Sequence, residues 1–183
     1  MFARTKRLTL RPGWAEDAPA LAQAIGHEEV VTKLARAPWP YGVEEARDFL
    51  SIPRGPHEPN FMILEHKAGG PMLIGGIGII SEAGGEQQLG YWLTPQAWGQ
   101  GLATEAGKVV VDMARHALGL RRLHAWHFID NPASGSVLRK LGFRATGRTE
   151  LRHSLARGGE TPGAMLELDL EEGRLSDGVK LAA

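Results

Sequence analysis

The sequence has no cysteine among its 183 residues. This absence excludes disulfide bonds, thiolate metal sites and a cysteine nucleophile. No segment approaches the roughly 18 consecutive apolar residues that a membrane-spanning helix requires. The basic N-terminal residues 1–7 are not followed by the apolar stretch of a secretory signal peptide. We therefore expect a cytoplasmic protein that does not enter a membrane.

An excess of charge of one sign is also lacking. The 21 Lys and Arg residues balance the 21 Asp and Glu residues, and the formal net charge is zero at pH 7. Because basic runs are absent too, neither a nucleic-acid partner nor an anionic membrane surface is indicated. The length and the 43% hydrophobic content predict one globular domain over residues 1–183, with a polar C-terminal tail at 171–183.

Helical and strand-like patterns alternate along the chain. The predicted helices cover residues 16–25, 30–34, 43–50, 103–117 and 132–141. The predicted strands cover residues 8–11, 61–65, 72–80, 89–94, 123–129, 143–150 and 164–170. Because a helix connects them, strands 89–94 and 123–129 are expected to be parallel, with a right-handed crossover.

The most informative segment joins strand 89–94 to the helix at 103–117. It reads Trp98-Gly99-Gln100-Gly101-Leu102-Ala103-Thr104. Glycine adopts positive φ without steric cost, so two alternating glycines let consecutive backbone N–H groups point into one concavity. The helix start adds unpaired N–H donors and the positive end of the helix dipole. The segment therefore predicts a phosphate or pyrophosphate site. The alternative is an ordinary strand–helix connection in which glycine only relieves strain.

Two familiar phosphate-binding motifs do not fit this segment. A P-loop requires Gly-Lys-Ser/Thr, but Leu102 and Ala103 follow Gly101. A dinucleotide-binding fingerprint requires a third glycine where Thr104 stands, and it normally occurs early in the chain. A dinucleotide-dependent enzyme is therefore disfavoured.

The segment resembles the acyl-CoA pyrophosphate loop of the GNAT N-acetyltransferase superfamily, Gln/Arg-x-x-Gly-x-Gly/Ala, with Trp98 in the first position. The stretch 131–143, Asn-Pro-Ala-Ser through Leu-Gly-Phe, and the opening Arg-Leu-Thr-Leu-Arg-Pro at 7–12 resemble other motifs of that superfamily. The resemblance covers residues 5–170 in the correct order and is strongest to ribosomal-protein N-terminal acetyltransferases. It implies an α+β GNAT fold, in which helices flank a mixed, mostly antiparallel twisted sheet with splayed parallel strands at the cofactor site.

Acetyl-CoA is the cosubstrate that this resemblance implies, lying between strands 89–94 and 123–129. Backbone groups of Leu93 and Thr94 would pair with its pantetheine arm, and the glycine turn would bind its pyrophosphate. The residues implied to bind the cofactor are Leu93, Thr94, Trp98, Gly99, Gln100, Gly101, Leu102, Ala103, Thr104 and Asn131.

The implied catalytic residue is Ser134, which aligns with the serine that in this branch protonates the departing CoA sulfur. A hydrogen bond to backbone in the first helical turn is its alternative role. Leu138 and Gln88 occupy positions where many relatives carry a tyrosine acid and a glutamate base. His127 is one alternative base, although a histidine satisfied within the fold is the more common case. Without cysteine, an acyl-enzyme thioester cannot form, so we expect direct attack by the amine in a ternary complex.

Trp39 and Tyr41 lie on a Pro-rich loop where this superfamily builds its acceptor site, either as an aromatic flank for an amine or peptide or as buried anchors. His124 and His127 point to opposite faces of one strand, which argues against a metal site.

The sequence therefore predicts an acetyl-CoA-dependent N-acetyltransferase that acts on a protein or peptide N-terminus or a small amine. A homodimer is compatible with the resemblance. Gln88 and Leu138 leave open a second reading, a catalytically weak acyl-CoA-binding sensor or regulatory module.

Overall fold

The computed structural model describes residues 1–55, 57–82 and 84–171. The strands in this part of the chain are β1 (Ala3–Arg4), β2 (Leu8–Arg11), β3 (Asn60–Lys67), β4 (Gly70–Ser81), β5 (Gln87–Leu93), β6 (Arg122–Phe128), β7 (Arg144–Ser154) and β8 (Gly159–Asp169). The helices are α1 (Ala18–Ile25), α2 (Glu28–Val31), α3 (Val43–Ser51), α4 (Leu102–His116) and α5 (Pro132–Lys140). Short 3₁₀ turns cover Ala15–Asp17 and Pro95–Ala97. None of these helices is long and apolar enough to cross a membrane.

One sheet contains all eight of these strands, in the order β1-β2-β3-β4-β5-β6-β8-β7. Within the described residues, β5 and β6 form the one parallel pair, and every other neighbouring pair is antiparallel. This confirms the predicted α+β fold, with a mixed, mostly antiparallel sheet flanked by helices. The parallel direction of β5 and β6 is confirmed as well.

The predicted elements occur in the predicted order, with differences at their ends. The two-residue strand β1 was not predicted, because two residues carry no periodicity. Strand β8 begins at Gly159, five residues before the prediction, although proline and glycine, as at Pro162 and its flanking glycines, favour turns over strands. These residues pair with the far end of β7, so the hairpin extends beyond its apolar part. The predicted tail, 171–183, lies outside the described residues apart from Glu171.

A separate apolar core lies on each face of the sheet. The α4-side core contains the buried stripes of α4 and α5 together with Leu89 and Leu93 of β5. The α1-side core contains α1, α2 and part of α3. Successive strand residues point to opposite faces, so Tyr91 packs on the α4-side core while its neighbour Trp92 packs on the α1-side core. The two faces of β5 therefore serve different layers of the protein.

Gly107 allows α5 to pack closely on α4. A Cβ atom added at Gly107 would lie 2.5 Å from Cδ1 of Leu141, at the end of α5. The absence of a side chain there brings the two helices together. At its other end, the first turn of α5 lies beside β5, where Ser134 contacts Tyr91.

Candidate active site

The candidate site is the gap that opens between β5 and β6. Within the described residues, a single pair, Gln88 and His124, joins these parallel strands. Strand β4, in contrast, pairs with β5 over the full length of β5. The second half of β5 therefore has one edge without a neighbouring strand, and such an edge presents backbone N–H and C=O groups to another molecule.

Leu93 directs its backbone N–H into this gap. The N–H of the next residue, Thr94, donates to the carbonyl of Ile74 in β4 at 2.8 Å. Because backbone groups alternate between the two edges of a strand, the N–H of Leu93 points to the opposite edge. The Thr94 carbonyl accepts from the N–H of Ala97 at 3.0 Å. Backbone pairing between Thr94 and a pantetheine arm stays a prediction, and it would compete with these two internal bonds.

The turn before α4 has the backbone shape that its glycines predicted. Gly99 has a φ of 74° and Gly101 a φ of 76°, both in the left-handed region. Gly101 is the N-cap of α4 and brings no side-chain oxygen to the helix start. The N–H of Glu105 donates to the Gly101 carbonyl at 3.0 Å. The N–H groups of residues 102–104 precede that bond and have no carbonyl partner within the helix, an arrangement that suits an anion.

Side chains of the turn hold its shape. The indole Nε1 of Trp98 donates to the carbonyl of Leu93 at 2.8 Å. The amide Nε2 of Gln100 donates to the carbonyl of Gln96 at 2.7 Å. Lys33 lies 4.5 Å from the Trp98 ring centroid and covers its outer face. Trp98 and Gln100 therefore contribute to the site through the conformation of the turn, while their side chains bond inward.

An open depression of about 510 Å³ lies beside the N-terminal half of α4. It is lined by Thr5, Arg7, Gly101, Thr104, Glu105, Lys108, Val109 and Lys140. Three of these residues are cations and one is an anion. Their positive charge adds to that of the helix start, so the depression suits a multiply charged phosphate group.

Tyr91 and Ser134 form a hydrogen-bonded hydroxyl pair that links β5 to α5. The phenolic oxygen of Tyr91 lies 2.8 Å from Oγ of Ser134 and 3.2 Å from the Ser134 carbonyl, so its single proton can bond to either acceptor. Burial raises the pKa of Tyr91 to about 12, against a smaller lowering effect of the bond to Ser134. Tyr91 therefore keeps its proton at neutral pH and can donate it within the pair.

Asn131 takes the capping role at the start of α5. Its Oδ1 accepts from the backbone N–H of Ser134 at 3.4 Å. The hydroxyl of Ser134 is directed to Tyr91 instead, whose ring packs on the α4-side core. Leu138, where many relatives carry a tyrosine, is buried in the α4-side core. Strand alternation places Tyr91 on the same face of β5 as Leu89 and Leu93, which is the face that α5 covers. This alternation is the sequence signal that could have indicated the Tyr91–Ser134 contact.

On the opposite face of β5, an open space lies beside the gap. Gly90 shares this face with Gln88 and Trp92, and a Cβ atom added at Gly90 would meet nothing within 4 Å. His124 lies next to Gln88, with Nε2 at 3.9 Å from a carboxylate oxygen of Glu86. This side of the gap thus combines free volume with a partly buried imidazole.

His127 belongs to the other face. Its Nδ1 donates to the carbonyl of Phe128 at 2.8 Å. A Cβ atom at Gly135 of α5 would lie 2.5 Å from its Nε2. His127 is therefore packed beneath α5, and His124 is the histidine on the face with open space.

Trp39 and Tyr41 lie on the loop between α2 and α3. Tyr41 packs on the α1-side core, as does Trp92, and its hydroxyl donates to the Glu45 carbonyl at 3.4 Å. Burial, followed by the charge of Glu45, raises the pKa of Tyr41 to about 12. Trp39 is 44% exposed. Tyr41 thus anchors the loop in the core, whereas the exposed ring of Trp39 is accessible to a ligand.

Comparisons with known proteins agree with this geometry. A family model described as an acetyltransferase (GNAT) domain matches residues 7–144. The chain is 29% identical over 147 residues to an uncharacterized N-acetyltransferase, p20, of Bacillus licheniformis, covering 78% of this chain and 82% of that one.

Two solved structures share the fold. The ribosomal-protein-S5-alanine acetyltransferase of Vibrio fischeri superposes with a TM-score of 0.77 at 17% identity, covering 92% of this chain and 96% of the other. The spermidine N-acetyltransferase of Vibrio cholerae, in complex with CoA and spermine, superposes with a TM-score of 0.74 at 16% identity, covering 91% and 98%. The family match spans most of the chain and includes both the glycine turn and the Ser134 region. The chain therefore belongs to the GNAT acetyltransferase family and is an N-acetyltransferase, an acyltransferase enzyme.

Proposed function

We propose that this enzyme transfers the acetyl group of acetyl-CoA to a protein or peptide N-terminus, or to a small amine of similar basicity, in a ternary complex. The observation that carries the proposal is the gap between β5 and β6, with an uncapped helix start at its end and the Tyr91–Ser134 hydroxyl pair beside it. GNAT acetyltransferases use acetyl-CoA, and these features suit its phosphates, its amide-containing arm and its thioester.

The cofactor is proposed to lie along the free edge of β5. The N–H of Leu93 would pair with the pantetheine arm, as one strand pairs with another. The N–H groups at residues 102–104 would bind the pyrophosphate, with Lys108 and Lys140 adding positive charge. This arrangement leaves the thioester in the gap, beside the hydroxyl pair.

The departing thiolate would receive its proton from Ser134. The free thiol has a pKa near 8.5, so the thiolate is a better leaving group when a donor lies next to the sulfur. Tyr91 keeps its proton and can direct it to Oγ of Ser134 while the serine gives its own proton to sulfur. The serine regains a proton, through solvent, from the ammonium that forms as the amine attacks, so the products are a neutral amide and a neutral thiol. This pair also weakens the case for an inactive sensor, because it supplies a donor although Leu138 lacks one.

The acceptor is proposed to enter from the face of β5 that carries Gly90. Helices α4 and α5 cover the other face, so an incoming amine reaches the thioester from the open side. The fold is compatible with more than one acceptor class, since one relative is named for a ribosomal protein and another for spermidine.

CoA binding tests the phosphate site. CoA or acetyl-CoA should raise the melting temperature, and NAD should not. Ligand at about 100 times its dissociation constant stabilises the folded state by about 2.7 kcal/mol. Gly101→Asp should abolish the shift, because a carboxylate would face phosphate. Gly119→Asp is the matched control, since Gly119 has a φ of 65° and follows the opposite end of α4. Equal CoA shifts in the two folded variants would disprove the phosphate site.

Replacing Ser134 tests proton transfer. Ser134→Ala should lower kcat about 10²-fold with little change in acetyl-CoA affinity, because the interaction forms only as the thiolate departs. Ser136→Ala is the control, as Ser136 lies on the same helix and its hydroxyl donates to the Pro132 carbonyl. Stopped-flow detection of released thiol measures kcat. Turnover equal to that of the control would assign the proton to solvent or to another donor.

Filling the open space at Gly90 tests the acceptor route. Gly90→Val should raise KM for the amine about tenfold or more and leave acetyl-CoA affinity unchanged, because the new methyl groups would occupy the space beside the gap. Gly69→Val is the control, since Gly69 also has open space around it but lies in the β3–β4 turn. An unchanged amine KM in folded Gly90→Val would place the acceptor elsewhere.

The basicity of the acceptor tests its class. An α-amino group has a pKa near 8 and a lysine side chain about 10.4, so at pH 7.5 roughly a quarter of the former but about a thousandth of the latter is neutral. With Gln88 unable to act as a base, we expect faster transfer to an α-amine than to lysine. Peptides with one free amine each, assayed by thiol release, measure the two rates. Faster transfer to lysine would show that another group in the enzyme acts as a base.

A further inference from the structure

Arg7 connects the turn between β1 and β2 to the phosphate turn, 93 residues later in the chain. Its Nη1 donates to the carbonyl of Gln100 at 3.0 Å. Its Nε donates to a carboxylate oxygen of Glu105, on the first turn of α4, at 2.7 Å. One guanidinium therefore contacts both the turn and the helix that follows it.

Glu105 fixes the guanidinium in this position. Its second carboxylate oxygen accepts from the hydroxyl of Thr5 at 2.6 Å and from the backbone N–H of Arg7 at 3.2 Å. Burial acts to raise the pKa of Glu105, but these hydrogen bonds from Thr5 and Arg7 outweigh it, and the pKa lies below its usual value. The carboxylate is thus ionised at neutral pH, and both of its oxygens hold the segment around Arg7.

The peptide that Arg7 contacts is one that can rotate easily. The bond between Gln100 and Gly101 precedes a glycine with positive φ, and glycine tolerates both signs of φ. Rotation of this peptide would reverse its carbonyl and its N–H together, because the two groups are antiparallel across a trans peptide. A bond to the carbonyl therefore also fixes the direction of the Gly101 N–H, which directly precedes the N–H groups of residues 102–104 that we propose to bind the pyrophosphate.

We propose that Arg7 is a positioning residue that holds the Gln100–Gly101 peptide in its binding orientation and so sets the affinity for acetyl-CoA. This inference rests on the proposed function, since it assigns the CoA phosphates to this turn. A ligand that binds one orientation loses apparent affinity in proportion to the population of that orientation. Arg7 acts through the turn, so its loss should affect binding of the cofactor and spare the chemical step.

The test compares Arg7→Ala and Arg7→Lys with wild type, and Lys6→Ala is the matched control. Lys6 is the neighbouring exposed cation, so its loss removes one positive charge and leaves the contacts of the Arg7 guanidinium with Gln100 and Glu105 intact. Calorimetry with CoA measures affinity, and steady-state kinetics separate KM from kcat. We expect Arg7→Ala to weaken CoA binding and raise acetyl-CoA KM about tenfold. The kcat, the amine KM and the Lys6→Ala affinity should stay within twofold of wild type.

Arg7→Lys separates geometry from charge. An ammonium carries the charge but lacks the planar fork that reaches two acceptors, so it should restore less than half of the lost binding free energy. Full restoration by lysine, or equal losses in Arg7→Ala and Lys6→Ala, would overturn the proposal. If Arg7→Ala raised the amine KM and lowered the melting temperature as well, Arg7 would have a general structural role, and the proposal would be overturned. CoA binding by the wild-type enzyme is measured before any variant. If the wild type does not bind CoA, the proposed function is disproved, and this result is distinct from a failure of the Arg7 proposal.

Discussion

The divergence of β5 and β6 beyond the Gln88–His124 pair is the constraint on which the site depends. A fully paired sheet would use every backbone N–H and C=O of β5 internally. Because the strands diverge, the N–H of Leu93 faces an open gap, while the other edge of β5 stays hydrogen-bonded to β4. The Tyr91–Ser134 bond then connects the strand on one side of the gap to the helix that follows the other. Shape and chemistry therefore arise from the same departure from regular pairing.

The parts of the site that depend on local sequence could be predicted. The alternating glycines at 99 and 101 need only their own backbone preferences and the helix after them, and the structure gives both a positive φ. The order of helices and strands followed from periodicity for the same reason. The family motifs, including the one that contains Ser134, could be located because their residues stand at fixed spacing, and the roles of those residues stay predictions.

The contacts that join distant segments could not be predicted. Tyr91 and Ser134 are 43 positions apart, and Thr5 and Glu105 are 100 positions apart, so no periodic pattern connects them. The strand pattern around Tyr91 indicates sheet packing, which is correct for its ring but does not predict the contact of its hydroxyl. The early start of β8 was missed because cross-strand pairing with β7 stabilises a segment whose glycines and proline favour a turn. Tertiary contacts decided each of these cases.

The separation of the two apolar cores has a consequence for how such enzymes diversify. The α4-side core supports the turn, α5 and the hydroxyl pair, whereas the α1-side core supports the loop that carries Trp39 and Tyr41. Apart from contacts such as that of Lys33 with Trp98, substitutions in one core alter side chains that the other core does not contact, and effects at distant, independent sites are approximately additive. The helices α1–α3 and the loop that they support can therefore accumulate changes while the core beneath the glycine turn persists. A sheet with a separate core on each face thus gives selection two surfaces that it can modify one at a time.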